Sequence, residues 1–208
     1  MSYPVSVSID PRLTNRNRLT TAFRLILAIP HGILIGTIGF GITLGQGDPL
    51  RFSAETGLLG AVAFVLAIVN WFAILFTGED IIGIRQFTQF YLRWRVRGLS
   101  YIMLLEDQYP PFGDASYPAS VTIADPARPR DRLTVALRLL LAIPHFIALI
   151  FLVFAWWLTA IVAWLLILIT AEYPQGLYEF GVGVLRWLIR VEAYVLLMVD
   201  DYPPFSLT

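Results

Sequence analysis

The chain has 208 residues, of which 57% are hydrophobic and 14% charged, and its mean hydropathy is +0.69. An ordinary soluble domain carries roughly a quarter charged residues, so this chain lacks the polar side chains that cover a water-facing surface. Its fifteen arginines balance fifteen acidic residues, which argues against a nucleic-acid partner. The absence of cysteine and lysine excludes disulfides, thiolate metal sites, Schiff-base catalysis and P-loop chemistry.

Three runs without charged residues predict the membrane helices. Residues 25–47 and 56–78 are each long enough for one crossing, which needs about 20 residues. The third run, 139–171, would form a rod of about 50 Å, too long for one crossing. Paired tryptophans at its midpoint favour the headgroup level. We therefore expect a tight hairpin that turns near Trp156, with a bent or re-entrant single element as the alternative.

The arginines predict an orientation. Only Arg51 lies in the loop between the first two runs, whereas the other fourteen flank the runs on the opposite side. By the positive-inside rule, both termini and the central connection face the cytoplasm. Residues 1–18 are polar and have no apolar signal-peptide core, so we expect the first helix to be an uncleaved anchor. The predicted location is a membrane, with several crossings.

The chain contains an internal repeat. Residues 18–31 recur 114 positions later as residues 132–145, with eleven of fourteen residues identical. Further along, the offset is 93, and the Asp-x-Tyr-Pro-Pro-Phe segment 107–112 recurs as 200–205. The sequence therefore divides into two membrane repeats, residues 1–113 and residues 114–208, called copy 1 and copy 2 below.

Each copy has the same predicted order of elements. The alternating segments 3–9 and 117–123 favour short cytoplasmic β-strands that could pair with each other. A helical hairpin follows each strand, and then a helix whose arginines and apolar residues lie on separate faces. The predicted fold is an all-α membrane protein with two tandem helical-hairpin repeats, about four transmembrane helices, amphipathic interfacial helices and short strands. If the post-hairpin helices crossed the membrane, the repeats would instead be inverted.

The doubled Arg-Leu-Thr block with Leu-Ala-Ile-Pro-His, together with the closing Tyr-Pro-Pro-Phe, resembles bacterial membrane proteins grouped as family 4389 of the domains of unknown function. The resemblance covers nearly the whole chain as two tandem copies. It implies a membrane location and this duplicated architecture, and it implies no activity or catalytic residue.

A candidate intramembrane polar site recurs in both copies. Each histidine follows an arginine by seven residues, so the two share a helix face and are expected to point into the protein. In a hairpin, the glutamate that ends the second helix would pair with that arginine; we favour structural ion pairs over a proton or ion relay. The site comprises Arg24, His31, Glu79, Arg138, His145 and Glu172.

The histidines allow two interpretations. We favour imidazoles that hydrogen-bond a carbonyl freed by the preceding proline. The alternative is a symmetric bis-histidine site for haem or a metal. Two histidines without a metal-spacing motif are few ligands for such a site. We expect no cofactor and no metal. Asp107 and Asp200, which precede prolines, are interpreted as turn residues.

The predicted function follows from these residues. Five arginines of the post-hairpin helices are candidates for contact with lipid headgroups: Arg85, Arg93, Arg97, Arg186 and Arg190. No catalytic motif is present, so we expect a scaffold or accessory subunit and not an enzyme. Its expected partners are membrane lipids and possibly another membrane protein or a second copy. The alternative is a small transporter or channel with a polar site between the repeats.

Overall fold

The structure is a computed structural model that describes residues 3–36, 57–113, 115–126 and 129–208. Its described part is mainly helical and contains one small sheet. In chain order the elements are β1 (Val5–Ile9), α1 (Arg18–Ala22), α2 (Arg24–Ile35), α3 (Gly57–Thr77), α4 (Ile82–Ile102), β2 (Ala119–Ile123), α5 (Arg132–Thr170) and α6 (Gln175–Val195).

The charge-free run of copy 2 forms one helix, so the predicted hairpin near Trp156 is wrong. Helix α5 has 39 residues, which corresponds to about 58 Å. No glycine or proline lies between Pro144 and Thr170, and Pro144 is itself inside the helix. Trp156 is fully buried in the core, because its large apolar ring packs against protein and does not mark a turn at the headgroup level.

Helices α1, α2 and α3 form the corresponding element of copy 1. A side chain added at Gly57 would collide with the backbone of Gly36, so α3 begins where α2 ends. By the two repeat offsets, Ile35 and Gly57 correspond to the consecutive residues Leu149 and Ile150. The extra 21 residues of copy 1, 36–56, are therefore inserted at this point.

We call α1, α2 and α3 together rod 1, and α5 rod 2. Among the described residues, two helices, α3 and α5, are long and apolar enough to cross a membrane, which does not support the four crossings that the sequence predicted. The predicted tandem repeat thus remains, but each predicted hairpin is replaced by a rod. Residues 37–47, part of the first predicted crossing, lie outside the described residues.

The predicted pairing of the two Tyr-Pro segments is confirmed. Strands β1 and β2 form an antiparallel sheet in which Val7 is opposite Val121. These two residues are equivalent in the repeat, since they lie 114 positions apart. The centre of the sheet therefore lies on the pseudo-twofold axis that relates copy 1 to copy 2.

Helices α4 and α6 form a middle layer between the sheet and the rods. On α6, Arg186 donates a hydrogen bond to β1, whereas Trp187 and Tyr194 contact rod 2. On α4, Arg85 donates to a carbonyl next to β2, whereas Trp94 contacts rod 1. The predicted separation of polar and apolar faces is therefore present, but the polar face lies largely under the sheet.

The two copies interlock at the ends of the rods. Trp71 in α3 donates to the Val135 carbonyl at the start of rod 2, at 2.9 Å. Trp164 near the end of rod 2 donates to the Thr21 carbonyl at the start of rod 1, also at 2.9 Å. The rods are therefore antiparallel, and both copies contribute to one hydrophobic core. The boundary at residues 113 and 114 stays a prediction.

Each rod buries one stripe and exposes the rest. In rod 2 the buried residues are spaced by threes, fours and one seven, as on one helix face: Val135, Arg138, Ala142, His145, Leu149, Trp156, Ala160, Ala163 and Ile167. The outer face is apolar, and Phe151 and Ile169 are 70% and 72% exposed. This arrangement turns the arginine and histidine of each copy inward.

Candidate functional site

In both copies the inward arginine of the rod meets an aspartate of the closing segment. Arg24 donates to Asp107 Oδ1 at 2.9 Å, and Arg16 lies 2.9 Å from the same oxygen. In copy 2, Arg138 and Arg130 both bind Asp200, each at 2.7 Å. Each aspartate thus neutralises one of two buried arginines, and these pairs hold a rod start against the segment that closes the copy.

The predicted ion pairs with Glu79 and Glu172 are wrong. Both glutamates are exposed at the ends of the rods, because a continuous rod carries its end away from the arginine of its own start. Asp107 and Asp200 take their place, although the sequence interpretation treated them as turn residues. Asp107 and Asp200 recur at the offset of 93, but Glu79 and Glu172 do so as well, and the repeat therefore does not select between the two pairs of acids.

A tyrosine ring covers each inward arginine. The guanidinium carbon of Arg24 lies 4.0 Å from the ring centre of Tyr101, and that of Arg138 lies 4.6 Å from Tyr194. These tyrosines are equivalent at the offset of 93. The cation–π contacts stabilise the charged form where water is excluded, so the arginines are held by an acid and a ring in both copies.

The histidines bind tryptophans. Trp94 Nε1 donates to His31 Nδ1 at 3.1 Å, and Trp187 Nε1 donates to His145 Nδ1 at the same distance. The partner of Nδ1 is therefore an indole and not the carbonyl that we expected. His145 also stacks on Phe205 with ring centres 4.1 Å apart, and copy 1 repeats this contact with Phe112.

This hydrogen bond fixes the tautomer. An indole N–H only donates, so each Nδ1 must accept and the proton lies on Nε2. A neutral imidazole in this state offers no free lone pair to iron or another metal, so the bis-histidine alternative does not fit the residues present. Among the described residues, no group of three histidine, aspartate or glutamate side chains could hold a metal ion.

The two clusters differ in their second acid. In copy 2, Asp80 at the end of rod 1 lies 3.6 Å from Arg130. The residue equivalent to Asp80 is Tyr173, which follows rod 2 and whose ring centre lies 5.6 Å from Arg16 in the cluster of copy 1. Copy 1 instead has the buried Glu106, whose pKa is raised to about 7 by burial, partly opposed by the nearby Arg16.

The five candidate headgroup arginines lie in the middle layer. Four donate to groups of the fold: Arg85 to Asp125, and Arg97, Arg186 and Arg190 to the backbone oxygens of Gly113, Val7 and Ser206. Arg93 is exposed, and within the described part of the chain its hydrogen bond goes to Gln89 of its own helix. Contact of these arginines with lipid headgroups stays a prediction.

A buried ion pair at the crossing of α4 and α6 was not predicted. Arg95 Nε donates to Glu192 Oε1 at 2.6 Å, and both residues are buried. Arg95 of copy 1 is equivalent to Leu188 of copy 2, and Glu192 of copy 2 is equivalent to Leu99 of copy 1. Because the repeat places leucine where the pair has charge, the internal comparison that revealed the other sites gives no signal here.

A family model described as Domain of unknown function (DUF4389) matches residues 50–113 and 132–206. The two matched segments lie one in each copy, which confirms the tandem repeat. Comparisons with curated proteins and with solved structures give no match.

Proposed function

Because the chain belongs to the family described as Domain of unknown function (DUF4389), whose description names no activity, we propose a function from the geometry. The protein is a non-catalytic scaffold or accessory subunit on the inner membrane of a bacterium. It binds lipid with one face and a partner protein with the other. The observation that carries this proposal is the apolar outer face of the two rods, behind which the inward polar groups bind one another.

The outer face of the rods fits a lipid environment. Its large residues include Leu25 and Phe76, which are 78% and 77% exposed, and similar residues follow along the length of both rods. Exposed apolar surface is unfavourable in water by about 25 cal/mol for each Å². A face of this extent is far larger than a soluble monomer exposes, which supports contact with acyl chains.

The layers support rods that lie in the plane of one leaflet. An open sheet edge cannot lie in hydrocarbon, because its backbone groups would have no partners there. The sheet packs on α4 and α6, the same helices that the rods cover, so rods standing across the bilayer would carry the sheet into it. Rods lying flat keep the sheet in water. This arrangement replaces the several crossings that we expected from hydropathy.

The position of the arginines supports a cytoplasmic location of the sheet. The thirteen arginines among the described residues belong to the rod starts, the middle layer and the segments near the sheet, and positive charge favours the cytoplasmic side. Both termini adjoin this side, since β1 follows the N-terminus and the segment after α6 contacts α6 itself.

The separation of the two polar clusters favours a scaffold over a transporter. A transporter would need a hydrated cavity shared by Arg24, His31, Arg138 and His145. In the described residues, His31 and His145 instead stack on Phe112 and Phe205 of the closing segment of their own copy. Arg24 and Arg138 are covered by the rings of Tyr101 and Tyr194. In this proposal the clusters have a structural role: each one holds the start of a rod against the closing segment of its copy.

Single-cysteine labelling tests the orientation, since the chain has no cysteine of its own. Cysteine is introduced in turn at exposed positions that start and end the two rods: Arg18, Glu79, Arg132 and Glu172. A membrane-impermeant maleimide should label all four from the cytoplasmic side of oriented vesicles. Labelling of the start and the end of one rod from opposite sides would contradict flat rods.

Affinity purification from native membranes in mild detergent tests the scaffold role. We expect phospholipid and at least one membrane or cytoplasmic protein to remain bound in a fixed ratio. A variant in which the outer-face residues Phe151 and Phe154 are both changed to Gln serves as the comparison, because it should lose lipid and keep the polar clusters. Purification of the unchanged chain without lipid or protein would contradict the proposal.

A further inference from the structure

We propose that the free edge of β2 is a docking site for an extended segment of a partner protein that carries an acidic side chain. The inference rests on the scaffold function proposed above, because it names the chemistry of the partner. Three independent features of the chain carry it: the outward backbone groups of β2, a groove beside them, and the contrast with the edge of β1.

The register shows which backbone groups of β2 point outward. Asp10 N donates to Pro118 O, and Ala124 N donates to Pro4 O. In an antiparallel pair, bonded and non-bonded residue pairs alternate. Three residues of β2, Ala119, Val121 and Ile123, therefore turn their N–H and C=O groups away from β1. Ala119 is fully buried, so the groups that a partner can reach are those of Val121 and Ile123.

A groove lies between this edge and α4. Its volume is about 190 Å³, and Gln89 and Arg93 line it on the helix side, with residues 121–123 on the strand side. An exposed strand edge can accept an additional strand through main-chain hydrogen bonds, while neighbouring side chains select its residues. The groove gives such a segment a place beside β2, within reach of Arg93.

The pseudo-symmetric edge of β1 is closed. Arg186 Nε on α6 donates to the carbonyl oxygen of Val7 at 3.2 Å. Arg93 and Val121 are the equivalent residues of the other edge. Arg93 instead donates to Gln89 O of its own helix at 3.4 Å and is exposed. The same arginine position thus blocks one edge and leaves the other available.

The charge of the groove selects the partner. Among the described residues, no carboxylate lies within ion-pair distance of Arg93. Proteins usually protect an exposed strand edge because it can pair with other chains, and an arginine without an acid favours a carboxylate ligand. An added strand that carries an aspartate or glutamate would pair with the edge through its backbone and with Arg93 through its carboxylate.

The test uses the full chain in lipid nanodiscs and three fluorescent peptides. The first is Thr-Val-Asp-Val-Thr-Val, the second has Lys in place of Asp, and the third is the first with alternate amides N-methylated. We expect the acidic peptide to bind, and the other two to bind about tenfold more weakly by fluorescence anisotropy. The N-methylated peptide isolates the main-chain bonds and leaves the protein unchanged.

Charge reversal in the groove gives the second measurement. Arg93→Glu should weaken the acidic peptide and strengthen the lysine peptide, each by about tenfold. Arg18→Glu is the matched control, because it makes the same change at an exposed arginine outside the groove and should leave both affinities unchanged.

Several outcomes would overturn the docking site. These are equal binding of the three peptides, no binding up to about 1 mM, or affinities that Arg93→Glu leaves unchanged. Loss of binding to phosphatidylglycerol vesicles in Arg93→Glu, without peptide binding, would assign the groove to lipid instead. Failure of the scaffold proposal is distinguished by the purification experiment, which is read in the unchanged chain without any peptide.

Discussion

The polar clusters of copy 1 and copy 2 share their geometry but differ in their second acid. Both place two arginines on one aspartate, a tyrosine ring over the inner arginine, and a tryptophan on the histidine. Copy 2 receives its second acid, Asp80, from the rod of the other copy. Copy 1 has Glu106 next to its own aspartate. The comparison shows that the number of acids is kept although their positions are not.

The largest expected effect concerns the buried ion pair between Arg95 and Glu192, for which the repeat has no charged counterpart. Arg95→Leu or Glu192→Leu alone should lower the free energy of unfolding by about 3–5 kcal/mol, because a buried charge then loses the opposite charge that it contacts. The double substitution reproduces the leucines found at the equivalent positions, and it should restore most of the stability. Thermal unfolding in detergent measures all three variants. A double variant as unstable as the single ones would contradict this expectation.

The next effect compares the two aspartates. Asp107→Asn and Asp200→Asn each leave two buried arginines with a weaker acceptor, at a cost of about 3 kcal/mol. We expect Asp107→Asn to be the more destabilising at pH 6, since Asp80 still faces Arg130 in copy 2, whereas burial, the main cause of the raised pKa of Glu106, remains in copy 1 after the substitution. Unfolding at pH 6 and pH 8 measures the difference. Equal losses at both pH values would show that the second acids have no role.

A smaller expected effect is the dependence of stability on pH that Glu106 causes. Burial raises its pKa from 4.5 to about 7, so between these values the folded protein retains a proton that the unfolded chain has released. Stability should therefore fall as pH rises from about 4.5 to about 7, by on the order of 2 kcal/mol. Glu106→Val copies the Val199 of copy 2 and should remove this dependence. Glu106→Gln is the isosteric control, and a slope retained in both variants would contradict the assignment.

The contribution of Asp200 makes stability change with pH in the opposite direction, and it does so at lower pH. Burial alone would raise the pKa of this carboxyl, but hydrogen bonds and charges from Arg130 and Arg138 outweigh burial and lower it. Its contribution to stability is therefore present above its ordinary pKa and is lost as pH falls through the lowered value.

The smallest expected effect concerns the tryptophan–histidine hydrogen bond, which is the same in both copies. Trp94→Phe and Trp187→Phe each remove one hydrogen bond to a buried imidazole, at a cost of about 1 kcal/mol. The losses should be equal, because the two bonds have the same length. Nitrogen-15 shifts of the histidines in the unchanged protein should show the Nε2-protonated tautomer. Unequal losses would show that the copies hold their histidines differently.

Local patterns in the sequence predicted several parts of the fold. The alternation in the Tyr-Pro segments predicted strands, and their equivalence in the repeat predicted that they pair. The spacing of seven residues placed Arg24 and His31 on one face, and both are buried. These predictions depend on neighbours along one element, which periodicity describes directly.

The remaining features depend on contacts between distant segments. Hydropathy could not distinguish a hairpin from a rod, because both are apolar and only packing against α4 and α6 explains the buried Trp156. The partner of Arg24 lies 83 residues away in the closing segment. The repeat offset marked Asp107 and Asp200 no more than Glu79 and Glu172, whereas Arg95 and Glu192 break the repeat and gave no signal.

The centring of the sheet on Val7 and Val121 has a consequence for the ancestry of the chain. A polypeptide with a single copy would possess one strand and one rod, and only a second molecule could complete its sheet and its core. Such an ancestor would be an obligate homodimer. Joining two genes would fix the stoichiometry at one to one and free each half to acquire its own mutations, as the unequal edges of the present sheet illustrate.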